Sequence, residues 1–373
     1  MRYLILLFIF LFGLLANAQI VNIPDANFKA ALLSHYPAID FNNDGEIQVH
    51  EANNYTNTIS VYEKNISDLK GIEDFTSITN LRCDGNNLTN IDISNNTELI
   101  YFNCLYNNLN SLDVSNNTAL QMLYCGSNKI SNIDVSNNTE LKEILIFNNN
   151  LSSLDVSNNT ALLSLGCGWN NIRNLDVSNN IVLGHLECGL NGLSNLDLSN
   201  NVSLAYLECN NNSIDSLDLR SNILLFQLEC EANDLIFLNV KNGNNTNLRF
   251  SARHNPDLYC IEVDDSKWST DNWYEIDSHS YFNEDCASFV PEPTSIVHFV
   301  PNPFIWDLKI LFSGNVNLIE ISIYNMLGWK IEVPYEKISN EITIKGESLM
   351  SGIYIIEFKE QDRLLGNVKI VKQ

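Results

Sequence analysis

One twelve-residue stretch near the start of the chain has the residue types and the spacing of a calcium-binding loop. It runs from Asp40 to Glu51 and matches the pattern D-x-[DN]-x-[DN]-G-x5-E at every constrained position. Calcium takes six to eight oxygen ligands in a flexible cage. Asp40, Asn42 and Asp44 are spaced so that their side chains converge on one ion from the same side, and the pattern therefore predicts a calcium site.

The other positions of the loop complete the predicted ligand set. Gly45 allows the sharp turn, Glu46 would supply its backbone carbonyl, Gln48 a direct or water-bridged contact, and Glu51 both carboxylate oxygens. The alternative is a polar surface turn that caps a helix. The loop resembles an EF-hand or dockerin loop, but it occurs once, and the segment after it, 51–55, is short for a full helix. We therefore expect calcium to stabilise an N-terminal cap rather than to act in sensing.

The remaining residues that could do chemistry form no catalytic motif. The six histidines are scattered, and none lies in a zinc or nucleophile motif. His185 and Glu187 are the nearest thing to an acid/base pair, and they have no nucleophile partner. The sequence also has no phosphate loop and no dinucleotide fingerprint. We expect a protein that is not an enzyme.

The element that positions most of the chain is a repeat of 21 residues between positions 78 and 258. Its clearest marker is a cysteine at each step, with Ile146 in the one place where the cysteine is missing: Cys83, Cys104, Cys125, Cys167, Cys188, Cys209 and Cys230. An asparagine follows each of these positions after three residues, and an aspartate follows after nine in seven of the eight units. Self-similarity at this period predicts a solenoid.

Each unit reads approximately L-x-x-L-x-C-x-x-N-x-I-x-x-I-D-V-S-N-N-T-x. Leu123 and Cys125 alternate with Tyr124 and Gly126, which predicts a short strand with leucine and cysteine pointing inward. The asparagine turns the chain, and its side chain can bond the backbone of neighbouring coils. The unit resembles a bacterial leucine-rich repeat of the internalin type, which implies one concave sheet. A right-handed parallel β-helix with three flat sheets is the alternative.

The cysteines fall into two groups. We expect the ladder cysteines to be buried thiols, because Cβ atoms on adjacent parallel strands are roughly 4.8 Å apart, wider than the about 3.8 Å typical of a disulfide. Cys260 and Cys286 lie outside the ladder and bracket a tryptophan-rich segment. In an exported protein this pair is predicted to form a disulfide that closes a C-terminal cap.

The predicted concave face carries an apolar and largely aromatic group in its middle coils. Its members are Tyr101, Leu105, Tyr106, Met122, Tyr124, Phe147 and Trp169. The same face becomes acidic in the last coils. Aromatic side chains on a rigid sheet are typical anchors for a partner, so we predict a ligand-binding surface here. The alternative is cross-strand packing that only orders the sheet.

The chain is predicted to contain six segments. They are a signal peptide at 1–18, an N-terminal cap with the calcium loop and a divergent first repeat at 19–77, the repeats at 78–258, a C-terminal cap at 259–286, a linker at 287–295 and a separate β domain at 296–373. Arg2 and the small residues Ala16 and Ala18 support the signal peptide. The N-terminal cap is predicted to contain a helix over 22–36, with Asn22 as its cap and Pro24 in its first turn.

The last segment contains seven strand-like runs, which predict a β-sandwich. It resembles the type A sorting domain of the type IX secretion system of Bacteroidetes in four stretches: Val300-Pro301-Asn302-Pro303, the run from Ile321 to Gly328, the run from Ser351 to Ile355, and the basic end from Val368 to Lys372. The resemblance implies passage across the outer membrane, removal of the domain, and release or attachment at the cell surface. The alternative is an immunoglobulin-like adhesion module.

Composition agrees with this organisation. The formal net charge is -24 and the pI is near 4.4, which argues against nucleic acid as a partner. We predict a mainly β protein: a leucine-rich-repeat solenoid with a small helical N-terminal cap, followed by a C-terminal β-sandwich. Its predicted function is that of an exported, adhesin-like binding protein with structural calcium and no transmembrane segment in its mature form. The expected partners are the type IX secretion machinery and an extracellular protein or glycan; the alternative is a structural surface or matrix component without a specific ligand.

Overall fold

The computed structural model describes residues 19–286, 296–300, 304–312, 319–338, 341–360 and 363–373. The predicted signal peptide at 1–18 and the predicted linker at 287–295 lie outside the described residues. The chain divides into two compact units, Met1–Glu284 and Asp285–Gln373. No helix in the described part of the chain is long and apolar enough to cross a membrane.

The first unit is built on one parallel sheet of ten short strands, to which each coil contributes one strand. These strands are β1 (Ile59–Ser60), β2 (Asn80–Arg82), β3 (Tyr101–Asn103), β4 (Met122–Tyr124), β5 (Glu143–Leu145), β6 (Ser164–Gly166), β7 (His185–Glu187), β8 (Tyr206–Glu208), β10 (Gln227–Glu229) and β12 (Arg249–Ser251). From β2 to β10 they pair in strict register, so equivalent residues of successive coils lie side by side.

A second parallel sheet forms only in the last coils, from the returning segments. Its strands are β9 (Ser216–Asp218), β11 (Phe237–Asn239), β13 (Cys260–Glu262) and β14 (Tyr281–Asn283). The returning segments of the earlier coils have no strand among the described residues. One long sheet with irregular returns is the leucine-rich-repeat architecture, and the fold predicted from the sequence is confirmed; the β-helix alternative, with three flat sheets, is wrong.

The repeat pattern explains the core directly. In the coil that begins at Leu120, the side chains of Leu123, Cys125, Ile130 and Val135 are buried, and the same positions are buried in every coil. Since burying one such side chain stabilises the fold by about 1.5–3 kcal/mol, stacked coils form one continuous core. All seven ladder cysteines are free and buried, and burial raises the pKa of the Cys125 thiol to about 12.

Two asparagine ladders form hydrogen bonds with the backbone that the coils bury. In the first ladder, Asn149 Nδ2 donates to the carbonyls of Cys125 and Ile146, both at 3.1 Å, and Asn149 Oδ1 accepts from Ile130 N at 2.9 Å. The second ladder uses the second asparagine of the S-N-N turn. Asn138 Nδ2 donates to the carbonyls of Val114 and Asn117, both at 2.9 Å. Sequence analysis identified only the first ladder as a set of contacts between coils.

The N-terminal cap contains two short helices, α1 (Ala26–Leu33) and α2 (Val49–Asn54). The predicted start of α1, with Asn22 as its cap and Pro24 in the first turn, is wrong. Asp25 is the cap, because its Oδ1 accepts from Asn27 N at 2.9 Å and Phe28 N at 3.0 Å, while its Oδ2 accepts from Ser67 N at 2.8 Å. Asp25 thus both caps α1 and joins it to the first coil, and no local pattern reveals the second contact.

Both ends of the solenoid are covered. At the N-terminal end, Phe28 and Leu32 of α1 are fully buried in the same core as the coils, and Ser60 N at the edge of the sheet donates to His35 Nε2 at 3.0 Å. At the C-terminal end, α3 (Ser266–Asn272) precedes Trp273, whose ring stacks on Phe250 with centroids 4.6 Å apart. Cys260 and Cys286 form a disulfide at this end.

The second unit is a sandwich of two antiparallel four-stranded sheets. One contains β15 (Ile296–Val300), β16 (Asp307–Phe312), β20 (Glu341–Lys345) and β19 (Tyr335–Ile338); the other contains β18 (Lys330–Ile331), β17 (Ile319–Asn325), β21 (Gly352–Glu360) and β22 (Arg363–Lys372). Apolar residues of both sheets form one core. The sequence reading missed β19, whose residues are mostly exposed and show no buried alternation.

Candidate binding surface on the concave sheet

The solvent-facing side of the ten-stranded sheet, which we call the concave face, presents four columns of side chains. Two columns come from the first and third residues of each strand, one from the residue after the ladder position, and one from the residue that precedes the ladder asparagine. Six of the seven predicted binding residues lie in three successive coils, and only Trp169 lies beyond them. Tyr101 and Met122 are equivalent residues of β3 and β4, and Tyr124 lies two residues after Met122.

The structure brings the predicted aromatic residues together in two pairs. The rings of Tyr101 and Tyr124 meet edge to face, with centroids 5.3 Å apart and planes at 86°. The rings of Tyr106 and Phe147 meet in the same manner at 6.4 Å. Such pairs add about 0.5–1.5 kcal/mol beyond the area they bury. Leu105 and Met122 are half-buried beside them.

A glycine makes the second pair possible. Tyr106 and Phe147 belong to coils that are two steps apart, and Gly126 lies between them. A Cβ atom on Gly126 would stand 2.9 Å from two ring carbons of Phe147, closer than packed carbon atoms approach. The Phe147 ring therefore lies over Gly126 and reaches Tyr106. The strand alternation indicates only that Gly126 faces outward; the signal for its role is a glycine flanked by the large residues Leu105 and Phe147 at the equivalent positions of the neighbouring coils.

Trp169 stands apart from the other predicted residues. It occupies the same column as Tyr106 but three coils away, roughly 14 Å along the sheet at the usual strand spacing. Its side chain is 61% exposed. Between Trp169 and the acidic coils, no side chains project from Gly166, Gly168 and Gly189, so the backbone of the sheet is left uncovered at these positions. A Cβ on Gly168 would lie 2.9 Å from the carbonyl of Gly189.

Three glutamates follow along the concave face in the acidic coils: Glu187, Glu208 and Glu229. We call them the glutamate strip. The three residues lie in register on adjacent strands. Partial burial raises the pKa of the Glu208 carboxyl, and its two glutamate neighbours raise it further. A cation or a hydrogen-bond donor placed on the strip would relieve this repulsion.

Each glutamate of the strip has a partner two residues earlier on its own strand. His185 Nε2 lies 2.9 Å from Glu187 Oε1, Tyr206 Oη donates to Glu208 Oε2 at 3.4 Å, and Gln227 Nε2 donates to Glu229 Oε1 at 2.6 Å. The His185 ring also stacks on Tyr206 with centroids 4.2 Å apart. The contact between His185 and Glu187 thus belongs to a repeated pattern of strand packing, and its geometry alone gives no reason to assign it catalysis.

The predicted calcium loop lies in the N-terminal cap, away from these columns. Asp40 Oδ2 accepts from Gly45 N at 3.0 Å, and Asn42 Oδ1 accepts from Asp44 N at 2.8 Å. Asp44 Oδ2 accepts from Asn42 Nδ2 at 3.0 Å and from Gln48 Nε2 at 2.8 Å. The polar groups of positions 3, 5 and 9 of the loop therefore converge, and either amide would present an oxygen instead of a nitrogen after a half-turn.

The remaining predicted ligands are engaged with the protein itself. Glu51 is fully buried; its Oε1 accepts from Phe41 N at 2.8 Å and its Oε2 from Gln48 N at 2.9 Å. The Glu46 side chain is turned to Lys29 Nζ at 2.6 Å, which leaves its backbone carbonyl as the oxygen available to the loop. Across the described residues, no three or more His, Cys, Asp or Glu side chains gather as a metal site. The oxygens and amides of the loop still have the chemistry that calcium prefers.

Comparisons with known proteins find one family in the second unit. Residues 298–373 match the family described as the secretion system C-terminal sorting domain. No curated protein sequence matches the chain. Among solved structures, the chain is similar to the functional domain of InlJ from Listeria monocytogenes, which includes a cysteine ladder, with 23% identity over 95% of this chain and 98% of that chain and a TM-score of 0.46. It is also similar to internalin C2 from Listeria monocytogenes, with 16% identity over 64% of this chain and 98% of that chain and a TM-score of 0.48.

Proposed function

We propose that this exported leucine-rich-repeat protein, which carries a type IX sorting domain at its C-terminal end, is a non-catalytic, adhesin-like binding protein. Export to the cell surface or the medium follows from the sorting domain at 298–373. The proposed ligand is an extracellular protein or glycan held on the concave face. The observation that carries this proposal is the aromatic group made by Tyr101, Tyr124, Tyr106 and Phe147 on a sheet of rigid, in-register strands.

Two physical arguments support binding at this group and at Trp169, which lies farther along the same face. Tyrosine and tryptophan are the residue types that most often carry the energy of an interface, at about 2 kcal/mol or more each. Tyr106 and Trp169 also expose more than half of their surface, although a solenoid coil needs only a small residue at their position, as Ser127 and Ala232 show. Their size therefore adds exposed apolar area without a structural need.

Cells that display the full chain would test this function. We expect the triple variant Tyr124→Ala, Phe147→Ala and Trp169→Ala to lose adhesion to the surface or matrix that the wild-type cells bind. The matched control is Phe226→Ala, which removes an aromatic ring that is also exposed but lies outside this group. The variants must keep the wild-type unfolding temperature within a few degrees. Unchanged adhesion by a folded triple variant would contradict the proposed binding site.

A second candidate function, a structural component of a surface layer or matrix, is favoured by one observation. Ile181, Val202 and Ile223 occupy a single column of the turn that follows S-N-N, and each is more than half exposed. The preceding coils have threonine at this position: Thr97, Thr118, Thr139 and Thr160. A triple change of the three aliphatic residues to threonine would restore the earlier pattern. If the wild-type protein self-associates in sedimentation and the triple variant does not, the structural role is supported. If the wild-type protein and the variant sediment alike, the structural role is opposed.

Calcium is part of the proposal as a stabiliser of the N-terminal cap. The side chains of Asp40, Asn42, Asp44 and Gln48 would supply oxygens, together with the Glu46 carbonyl. Glu51 would contribute only if its carboxylate also released a backbone amide. Bound calcium would neutralise the clustered carboxylates and fix the loop against the first coil.

A further inference from the structure

Three of the sequence stretches that resemble a sorting domain, those at 321–328, 351–355 and 368–372, are far apart in the chain but meet at one end of the sandwich. In one sheet, Asn325 pairs with Tyr354 and Gly352 pairs with Lys372. In the other, Asp307 pairs with Lys345. The β17–β18 turn, the segment between β20 and β21, and the C-terminus are therefore at the same end.

The residues before β16 belong to this end too. Phe304 is buried in the core, forms a parallel bridge with Lys372, and donates its N–H to the Val371 carbonyl at 2.9 Å. Gln373 N donates to the Phe304 carbonyl at 2.9 Å. These bonds fasten the segment before β16 to the end of the chain, and they join the two sheets at this end.

This end carries a group of exposed apolar side chains, which we call the sorting-domain tip. Its members are Ile305, Trp306, Met326, Leu327, Trp329 and Met350, each between 55% and 83% exposed. Single exposed apolar residues are ordinary, but six of them concentrated at one end of a small unit mark an interaction surface. At the opposite end, among the described residues, Ile338 is 64% exposed.

Turn chemistry explains the small and polar residues of the tip but not the apolar ones. Asn325 Oδ1 accepts from the N–H groups of Leu327 and Trp329, both at 3.0 Å, and Gly328 has a φ of 77°. Gly346 is required because a Cβ there would overlap the Trp306 carbonyl. Trp306, Met326 and Leu327 are 61–80% exposed, so no core position among the described residues requires them to be large and apolar.

We propose that the sorting-domain tip is the surface by which the export machinery holds this chain, through an apolar pocket in one of its protein components. The tip suits a protein pocket rather than a lipid surface, because its backbone is fixed by the bonds above and its apolar side chains come from three separate segments. A protein pocket can bind such a fixed arrangement of side chains specifically, whereas binding to a bilayer depends only on the apolar area that is exposed. The proposal is independent of the concave face, since it concerns export and not the ligand.

The test uses the full chain in a bacterium that has a type IX secretion system. The variant Trp306→Ser with Leu327→Ser removes two exposed apolar side chains of the tip, and Ile338→Ser is the matched control at the opposite end. We expect the double variant to reach the cell surface and medium at a level at least tenfold below wild type and to accumulate in the periplasm. The control should be exported normally.

A second measurement separates loss of recognition from loss of folding. A photo-crosslinking amino acid at position 327 should form a crosslink to an identified outer-membrane component of the export machinery, and the same residue at position 338 should not. Export of a double variant at the wild-type level would overturn the proposal. So would crosslinks equal at both positions, or binding of the wild-type chain to phosphatidylethanolamine–phosphatidylglycerol vesicles that the double variant loses, since the tip would then read lipid.

Discussion

At the scale of the single residue, each coil contains one backbone position in the left-handed region. The residue before the ladder asparagine has a φ between 52° and 56° in seven successive coils, from Tyr106 to Ala232. Asparagine occurs there twice, but tyrosine, tryptophan, leucine and alanine also occur. A non-glycine residue in this region costs roughly 1–2 kcal/mol. The contacts between stacked coils must therefore hold the backbone in this conformation despite that cost.

Ala232→Gly should therefore stabilise the protein. Glycine adopts this φ without strain. After the greater entropy of glycine in the unfolded chain is counted, we expect the free energy of unfolding to rise by about 0.5–1 kcal/mol. Ala161→Gly is the matched control, because Ala161 is also half-buried but has no positive φ. The Ala161→Gly change should lower the free energy of unfolding by about 0.5–1 kcal/mol. Urea unfolding of both variants measures the difference, and equal signs would contradict the argument.

Two adjacent asparagines should differ sharply in their contribution to stability. Asn138 is buried, and its Nδ2 donates to two carbonyls of the preceding coil, each of which also accepts a backbone N–H. Asn137 is exposed, with a single long contact to the Ser115 carbonyl at 3.4 Å. Asn138→Ala removes two buried hydrogen bonds of about 0.5–1.5 kcal/mol each, so it should destabilise the protein by about 1–3 kcal/mol. Asn137→Ala should change the free energy of unfolding by less than about 0.5 kcal/mol. Equal losses would mean that the second ladder does not stabilise the coils.

At the scale of the element, the glutamate strip predicts a pH dependence of stability. The folded-state pKa of Glu208 is raised, so the folded protein holds this proton more tightly than the unfolded chain. The contribution is then favourable at low pH and is lost as the pH rises from the unfolded value of about 4.5 through the folded value. Glu208→Gln should raise the unfolding temperature at pH 7 and change it little at pH 4.

The size of this effect is small, because Glu208 remains partly exposed and solvent screens its neighbours. The control is Glu140→Gln, which alters an exposed glutamate on the turn that follows S-N-N. This control should give the same small shift at both pH values. If Glu208→Gln is less stable than wild type at pH 7, the hydrogen bonds of the Glu208 carboxylate outweigh its repulsion by the neighbouring glutamates.

The calcium loop is a second element whose contribution can be isolated. With calcium at 100 times its dissociation constant, binding to the folded state alone would add about 2.7 kcal/mol. We expect a chelator to lower the unfolding temperature of the wild-type protein and to leave that of Asp44→Ala unchanged. Asp113→Ala, which removes an exposed aspartate of the repeats, should keep the full response to chelator. A wild-type protein that does not respond would rule out calcium as a stabiliser of this cap.

At the scale of the whole molecule, the sorting domain makes a prediction about processing. The exported protein should lack residues 1–18 and a C-terminal piece that begins near 287–300, as a cleaved signal peptide and a removed sorting domain require. Intact-mass measurement on protein from the cell surface and from the medium checks both ends at once. A full-length C-terminus on protein found in the periplasm would mean that the last unit acts as a binding module.

The sequence alone determined the architecture of the repeats, because period and burial are local properties of a 21-residue unit. Leucine and cysteine at fixed steps must face one core, and eight copies in one register leave few ways to stack. The four sorting stretches were likewise readable as short local patterns. The sequence also placed the aromatic residues on the concave face, since alternation along a strand decides which side chains point outward.

The tertiary structure decided what depends on contacts between distant segments. Ser67 of the first coil bonds the carboxylate that caps α1, and Phe147 reaches Tyr106 across Gly126, which lies between their coils. The tip of the sorting domain exists because antiparallel pairing brings Trp306, Leu327 and Met350 to one end. Each of these features joins residues that are far apart in sequence, and no period or motif encodes such a distance. Hydrogen bonds, strand pairing and packing between distant segments decide them.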